Sequence, residues 1–244
     1  MAAKLASGNP DIARLVEKQL RNWELGRQQR VTAEVAKPRQ ADDFVCISRQ
    51  VGTNGEEVAE RVGAALDWPV FGRQVLEAMA GDDAQRRRVY ASMDERELGW
   101  WEETLRSLME GEFVRNDYYH RLCETLLSLA GQSNSVFLGR GADLILPRDR
   151  GFRVRLVAPE ADRVRSFAAT LGLPPRRAES EMERIEQERR RFFQRHFGVA
   201  PDDPMRYDIT VNLARFSLDQ AAEVVLRARS LHRGSSAEPE ETYV

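Results

Sequence analysis

Lysine is nearly missing from this chain. Only Lys4, Lys18 and Lys37 occur, and the other 34 of the 37 basic residues are arginine. Beyond residue 38, any cationic contact to an anion must come from a guanidinium, whose planar fork suits bidentate binding of phosphate. Genomic base composition explains the same skew without selection. Cysteine is as scarce. Cys46 and Cys123 stand far apart, which argues against a disulfide framework and fits a reduced setting. Cys46 lies in an apolar run and reads as a small core residue. The three histidines, His120, His196 and His232, do not cluster and suggest no metal site; His196 reads as a surface residue. No apolar run approaches membrane length, and the first residues lack the apolar core of a signal peptide. The expectation is a soluble, cytoplasmic protein with no membrane partner. A net charge of −2 gives no general pull toward nucleic acid.

What is present is enough for one sizeable core: 244 residues, 42% of them hydrophobic. The most informative stretch is FVCISRQVGTNGEEVAERVGAAL, Phe44 to Leu66. Phe44 to Ile47 reads as a short buried strand. Gly52, Thr53, Asn54 and Gly55 form a glycine-bearing turn, and Val58, Val62, Ala65 and Leu66 then recur at helical spacing. Strand, glycine turn and helix make the layout of a phosphate-binding loop, with backbone N–H groups facing an anion. The loop departs from G-x-x-x-x-G-K-[ST]. With the second glycine at Gly55, the lysine falls on Glu56 and the Ser/Thr on Glu57. A carboxylate at about 4 Å from phosphate, at an effective dielectric near 20, costs about 4 kcal/mol before screening. Alternatively, Glu56 and Glu57 simply favour the positive end of the helix.

Along the rest of the chain, Asn9 and Pro10 open an amphipathic helix carrying Ile12, Leu15, Val16, Leu20 and Trp23, which ends near Pro38. It either packs on its own chain or pairs with a second copy. Trp68 to Phe71 is a candidate strand and Arg73 to Ala80 a helix. Ser92 with Glu95 fits a capping box for a helix through Glu110, with Trp100 and Trp101 on its apolar face. Another helix runs from Asn116 or Asp117 to Ala130. Ser135 to Leu138, Phe152 to Val157 and Tyr207 to Asn212 read as strands, and Glu160 to Leu171 and Glu179 to His196 as helices. Ser217 with Gln220 caps the last helix, and the residues after it (231–244) read as a disordered tail. Strands alternating with helices predict an α/β fold, a parallel sheet with helices on both faces. Ligands then lie at the carboxyl ends of the strands, where Arg49, Gly52 to Gly55, Gly139 and Arg140 fall.

Four blocks, in order, resemble the cytidylate kinase-like proteins, relatives of bacterial cytidylate kinase among the nucleoside monophosphate kinases. They are ISRQVGTNGEEVAERVGAAL, VFLGRGADLILPRDRGFRVRLVAPEADRVR, ERIEQERRRFFQRHFG and DPMRYDITVNLARFSLDQAAEVV. The resemblance implies a three-layer P-loop kinase fold over 39–230, with residues 1–38 as a helical extension and an arginine-rich helical lid. It implies transfer of the ATP γ-phosphoryl group to CMP or dCMP, with Mg²⁺ accompanying ATP. Carried over residue by residue, Gly52, Thr53, Asn54 and Gly55 would cradle the ATP phosphates. Arg73 and Arg140 would hold the acceptor monophosphate. Arg189 and Arg184 would reach the transferring phosphoryl group from the lid. The departures from the pattern are Glu56, Gly72 before Arg73, Gln187 in the lid, Gly141 after Arg140, and Leu213 after Asn212. Two other expectations stand beside this one. One is a degenerate kinase that binds nucleotide without transferring phosphate. The other is a homodimer formed through the N-terminal helix on an inactive kinase core.

Overall fold

The computed structural model describes Arg14 and residues 16–21, 43–81 and 117–235. Five strands form one all-parallel sheet: β1 (Phe44–Arg49), β2 (Val70–Phe71), β3 (Ser135–Leu138), β4 (Phe152–Val157) and β5 (Ile209–Asn212). Their spatial order is β2-β3-β1-β4-β5. β1 is therefore central, with Cys46 paired to Phe137 of β3 on one side and to Arg153 of β4 on the other. The helices are α1 (Gly55–Leu66), α2 (Arg73–Gly81), α3 (Asp117–Gln132), α4 (Ala142–Ile145), α5 (Glu160–Leu171), α6 (Pro175–Phe197) and α7 (Leu218–Ser235). The fold is the expected three-layer α/β sandwich of a parallel sheet between helices.

Side chains alternate across the sheet with a period of two, and both faces are covered, so β1 is apolar on both. Phe44, Cys46, Phe71 and Phe137 meet Leu76 and Met79 of α2 and Leu122 and Leu126 of α3. On the other face Val45, Ile47, Val136, Val154 and Leu156 meet Val58 and Val62 of α1 and Ala221 and Val225 of α7. Continuous apolar runs are what a parallel strand buried on both faces requires.

Several boundaries differ from those read in the sequence. β2 shortens to two residues, and β5 starts at Ile209 rather than Tyr207. α6 begins one turn early because Pro175 sits at its first turn, where proline's missing N–H costs nothing. The cap on α7 is the expected reciprocal one: Ser217 N–H donates to Gln220 Oε1 (2.9 Å) and Gln220 N–H to Ser217 Oγ (3.2 Å). α7 continues to Ser235, past the point where the tail was expected to start, and residues 236–244 lie outside the described residues. Val16 and Leu20 are buried in the first core, and Gln19 Oε1 accepts from Val70 N–H (3.0 Å). Of the two placements expected for the N-terminal helix, its described part takes the one on its own chain. The expected helix over Ser92–Glu110 lies outside the described residues.

One buried cation ties the sheet to the segment after β3. Arg153 is fully buried in β4. Its guanidinium donates to the carbonyls of Asp143 (3.1 Å), Arg150 (2.7 Å), Leu146 (2.9 Å) and Pro147 (2.6 Å). It also lies 5.6 Å from the centre of the Phe44 ring. The last carbonyls of α4 lack intrahelical partners, and Arg153 supplies them, fixing the turn that carries Arg140. Arg153→Met is expected to orphan four carbonyls and lower stability by about 3 kcal/mol. A urea melt followed by circular dichroism measures it.

Candidate functional site

The sheet fixes where the loops meet. Because β1 lies between β3 and β4, the segments leaving the carboxyl ends of all three strands converge. After β1 the pairing continues one residue, Gln50 N–H donating to Leu156 O (3.1 Å). The chain then turns. Gly52 has φ +81°, and a Cβ there would lie 2.4 Å from the Arg163 carbonyl oxygen of α5, so both backbone and space demand glycine. Thr53 Oγ1 donates to Gln50 O (2.8 Å), and Asn54, left-handed at φ 52°, accepts from Ser166 Oγ (2.7 Å). Helix α1 begins at Gly55. Among the described residues no acceptor claims the amides of Gly52 to Glu56. Successive free amides at a helix N-terminus form a concave anion site.

Beside this loop lies a cavity of about 270 Å³ lined by six arginines: Arg49, Arg73, Arg140, Arg155, Arg189 and Arg190. Four of them come from separate elements: Arg49 ends β1, Arg73 starts α2, Arg140 follows β3, and Arg189 belongs to α6. They repel one another. Burial, and then Arg73, Arg189 and Arg49, bring the Arg140 guanidinium down to about 9. Burial, and then Arg49, bring Arg189 down to about 10, and burial also lowers Arg49. Arg140 and Arg189 remain charged at neutral pH. Two carboxylates offset them in part. Glu56 pairs with Arg49 (2.7 Å), and Glu77 pairs with both Arg73 (3.1 Å) and Arg140. Glu186, Glu188 and Asp202 also line the cavity, and they are paired with Arg163, Arg184 and Arg155. Arg49, Arg73, Arg140, Arg189 and Arg190 against Glu56 and Glu77 then leave an excess of positive charge, the condition for binding a multiply charged anion.

The structure brings together Arg73, Arg140 and Arg189 as the sequence suggested. Gly52 to Gly55 form the adjoining loop and do not themselves line the cavity. Arg184 is not brought in. It is exposed and bound to Glu181 (2.5 Å) and Glu188 on its own helix. Five residues along an α-helix is about 140° of rotation, so Arg184 and Arg189 cannot share a face. Gln187 is exposed too, bound to Glu183 (3.2 Å). Arg155, in the cavity wall, was missed. It is buried, donating to Ser48 Oγ (2.8 Å) and paired with Asp202 (2.6 Å). Its signal was present in FRVRLV, where alternation puts Arg153 and Arg155 on one face of a strand read as apolar. Arg163 of α5 was missed as well. It joins loop to lid, binding Glu186 (2.7 Å) and the Val51 carbonyl (3.3 Å), while Glu186 also accepts from Val51 N–H (3.3 Å).

The departures from the kinase pattern acquire causes. Glu56 is 68% exposed and turned to Arg49, away from the loop amides. Gly139, Arg140 and Gly141 are three successive left-handed residues. A Cβ at Gly141 would lie 2.4 Å from the Phe197 ring, so no aspartate fits there. Gly72, by contrast, has open space.

Phe197 belongs to the anchor of the lid. His196 is buried, 9% exposed, stacked on Tyr119 (5.0 Å between ring centres) and against Phe192 (4.7 Å). The expectation of a surface histidine is thus corrected: the stripe of Phe192, Phe193, His196 and Phe197 faces the core, not solvent. Burial, and then Arg195, lowers the His196 pKa below its ordinary value. The unfolded chain therefore takes up the proton first on acidification. The neutral ring contributes full stability above the usual histidine range, lost as pH falls toward the folded value. Stability is expected to fall between pH 7 and pH 5, and less steeply in His196→Phe. Urea midpoints at several pH values read the difference in slope.

Comparison with known proteins places this geometry. No curated protein matches the chain. An uncharacterized protein from Eubacterium ventriosum ATCC 27560 shares the fold, with a TM-score of 0.63 at 16% identity over 78% of this chain and 99% of that one. A gluconokinase from Sinorhizobium meliloti 1021 gives 0.45 at 14% identity over 82% and 100%, and TT1252 from Thermus thermophilus 0.42 at 20% over 79% and 98%. The model of the cytidylate kinase-like family matches residues 44–215, the span holding the glycine loop, the arginine cluster and the lid helix, and the chain belongs to that family.

Proposed function

We propose that the protein transfers the γ-phosphoryl group of ATP to a nucleoside monophosphate, with CMP or dCMP as the acceptor its family suggests. The observation that carries this reading is the convergence of Arg73, Arg140 and Arg189 on one cavity beside free loop amides. Phosphoryl transfer asks little covalent chemistry of a protein; it asks for positioning and for neutralised charge. The amides of Gly52 to Gly55 hold the donor phosphates. Arg73 and Arg140, fixed through Glu77, hold the acceptor phosphate. Arg189, donating to the Arg49 carbonyl (3.0 Å), faces the group in transit from the lid. An acceptor phosphate oxygen forms the new P–O bond, the bond from the γ-phosphorus to its bridging oxygen breaks, and ADP leaves with the electron pair.

Magnesium fits this scheme as a passenger. Among the described residues no group of three His, Cys, Asp or Glu side chains is placed to hold a metal. Mg²⁺ retains waters and binds largely through substrate phosphates, where it would supply further neutralisation of the β- and γ-oxygens.

A second reading is favoured by Glu186, which takes the Val51 amide, and by the carboxylate at position 56. It is a nucleotide-binding protein that does not turn over. A coupled assay of CMP, dCMP, UMP and AMP with Mg-ATP, with calorimetry alongside, separates the two. Turnover is expected, and Arg140→Ala is expected to reduce it by at least about 100-fold. Binding without turnover selects the second reading, and turnover no higher than that of Arg140→Ala rejects the first.

A further inference from the structure

Arg49 holds a position that the resemblance to kinases did not assign. Its side chain leaves the end of the central strand and crosses the carboxyl edge of the sheet. A Cβ built on Gly55 would lie 2.9 Å from Arg49 Cδ and 3.1 Å from its Cβ. A Cβ on Gly139 would lie 3.0 Å from Arg49 Nη1. Gly55 opens α1 without a left-handed backbone, so what requires glycine there is the space taken by this side chain and by Leu156 Cδ1, which stands 3.1 Å from the Gly55 position as well. Gly139 is also required by its left-handed backbone. The Arg49 side chain runs between these two glycines, from the phosphate loop toward Arg140's turn. Arg49 is only 12% exposed, its Nη2 is bound to Glu56 (2.7 Å), and its backbone carbonyl is held by Arg189.

We propose that Arg49 is a catalytic cation of this site, taking over from the β1 strand the charge that a phosphate loop ordinarily draws from its lysine, with Glu56 as the counter-ion that positions it. The inference rests on the phosphotransferase reading above. It reverses the simple expectation for position 56. If Glu56 were a defect, Glu56→Lys would repair the loop. With Arg49 already in place, a lysine at 56 removes its counter-ion and adds a fifth cation beside Arg49, Arg73, Arg140 and Arg189, which already repel one another. Lysine cannot fully replace Arg49 either, since only the fork spans from Glu56 to Gly139.

The test uses the full chain with Mg-ATP and CMP, reading steady-state turnover and ATP affinity by calorimetry, with urea midpoints to confirm folding. Arg49→Met is expected to lower kcat by at least about 100-fold while the acceptor KM changes by less than about threefold. Arg49→Lys should recover about tenfold of that loss, which a purely structural role would not predict. Glu56→Lys should lower kcat by about tenfold or more and Glu56→Gln by less. Should the wild type bind ATP without turnover, the same order is expected in ATP affinity. Arg49→Met within about threefold of wild type in kcat, or Glu56→Lys raising kcat, overturns the proposal while leaving the phosphotransferase reading standing; where the wild type does not turn over, the same outcomes in ATP affinity overturn it. A wild type that binds neither ATP nor CMP overturns that reading, and this proposal with it.

Discussion

Mutual repulsion among guanidiniums is the constraint on which this structure turns. Arg49, Arg73, Arg140 and Arg189 come from four separate elements and face one cavity. They are held by the rigidity of those elements, by Glu56 on Arg49, by Glu77 shared between Arg73 and Arg140, and by the Arg49 carbonyl that accepts from Arg189. Like charges brought together out of water raise the energy of the folded state, and the depressed pKa values of Arg140 and Arg189 record it. A parallel sheet can bear that load because its core is elsewhere, on its two faces, and the loops at its carboxyl edge contribute little to packing. A polyanion entering the cavity would relieve the repulsion.

Three other buried arginines have a structural part. Arg153 has four carbonyls, Arg155 has Ser48 and Asp202, and Arg163 has Glu186 with the carbonyls of Ala158 and Val51. Each is buried with its hydrogen bonds satisfied, as a structural cation must be. The Nε atoms of Arg140, Arg206 and Arg229 are buried with no hydrogen-bond partner, so an unmet donor is not confined to the cavity. Guanidiniums suit both tasks. One fork can bind several carbonyls at once, and a delocalised cation tolerates partial desolvation better than an ammonium group.

The lid is held at its middle and at its end. Pairing of Glu186 with Arg163 and the Val51 amide fastens its middle to the loop. The aromatic group of Phe192, Phe193, His196 and Phe197 fastens its end against Tyr119. The same group occupies the space in front of Gly141. The Phe197 ring fits only where the side chain is missing.

The sequence by itself determined the layers. Apolar runs at Phe44 to Ile47 and Ser135 to Leu138, with the strand pattern of Phe152 to Val157, each set between helical patterns, specify the strands of a parallel sheet. Strand-to-helix alternation then puts Arg49, Gly52 to Gly55 and Arg140 at one edge. These features are local, decided by periodicity and turn chemistry over a few residues. Tertiary structure alone decided which charges face each other. Nothing in the order of residues says that Glu56 turns to Arg49, that Arg184 points to solvent while Arg189 points inward, or that His196 stacks on Tyr119. The first is a side-chain choice across the loop between residues seven apart. The other two depend on the rotation of α6 about its axis, and the stack on a contact between positions more than seventy residues apart. Periodicity within a helix cannot set that angle; only the surface it packs against can.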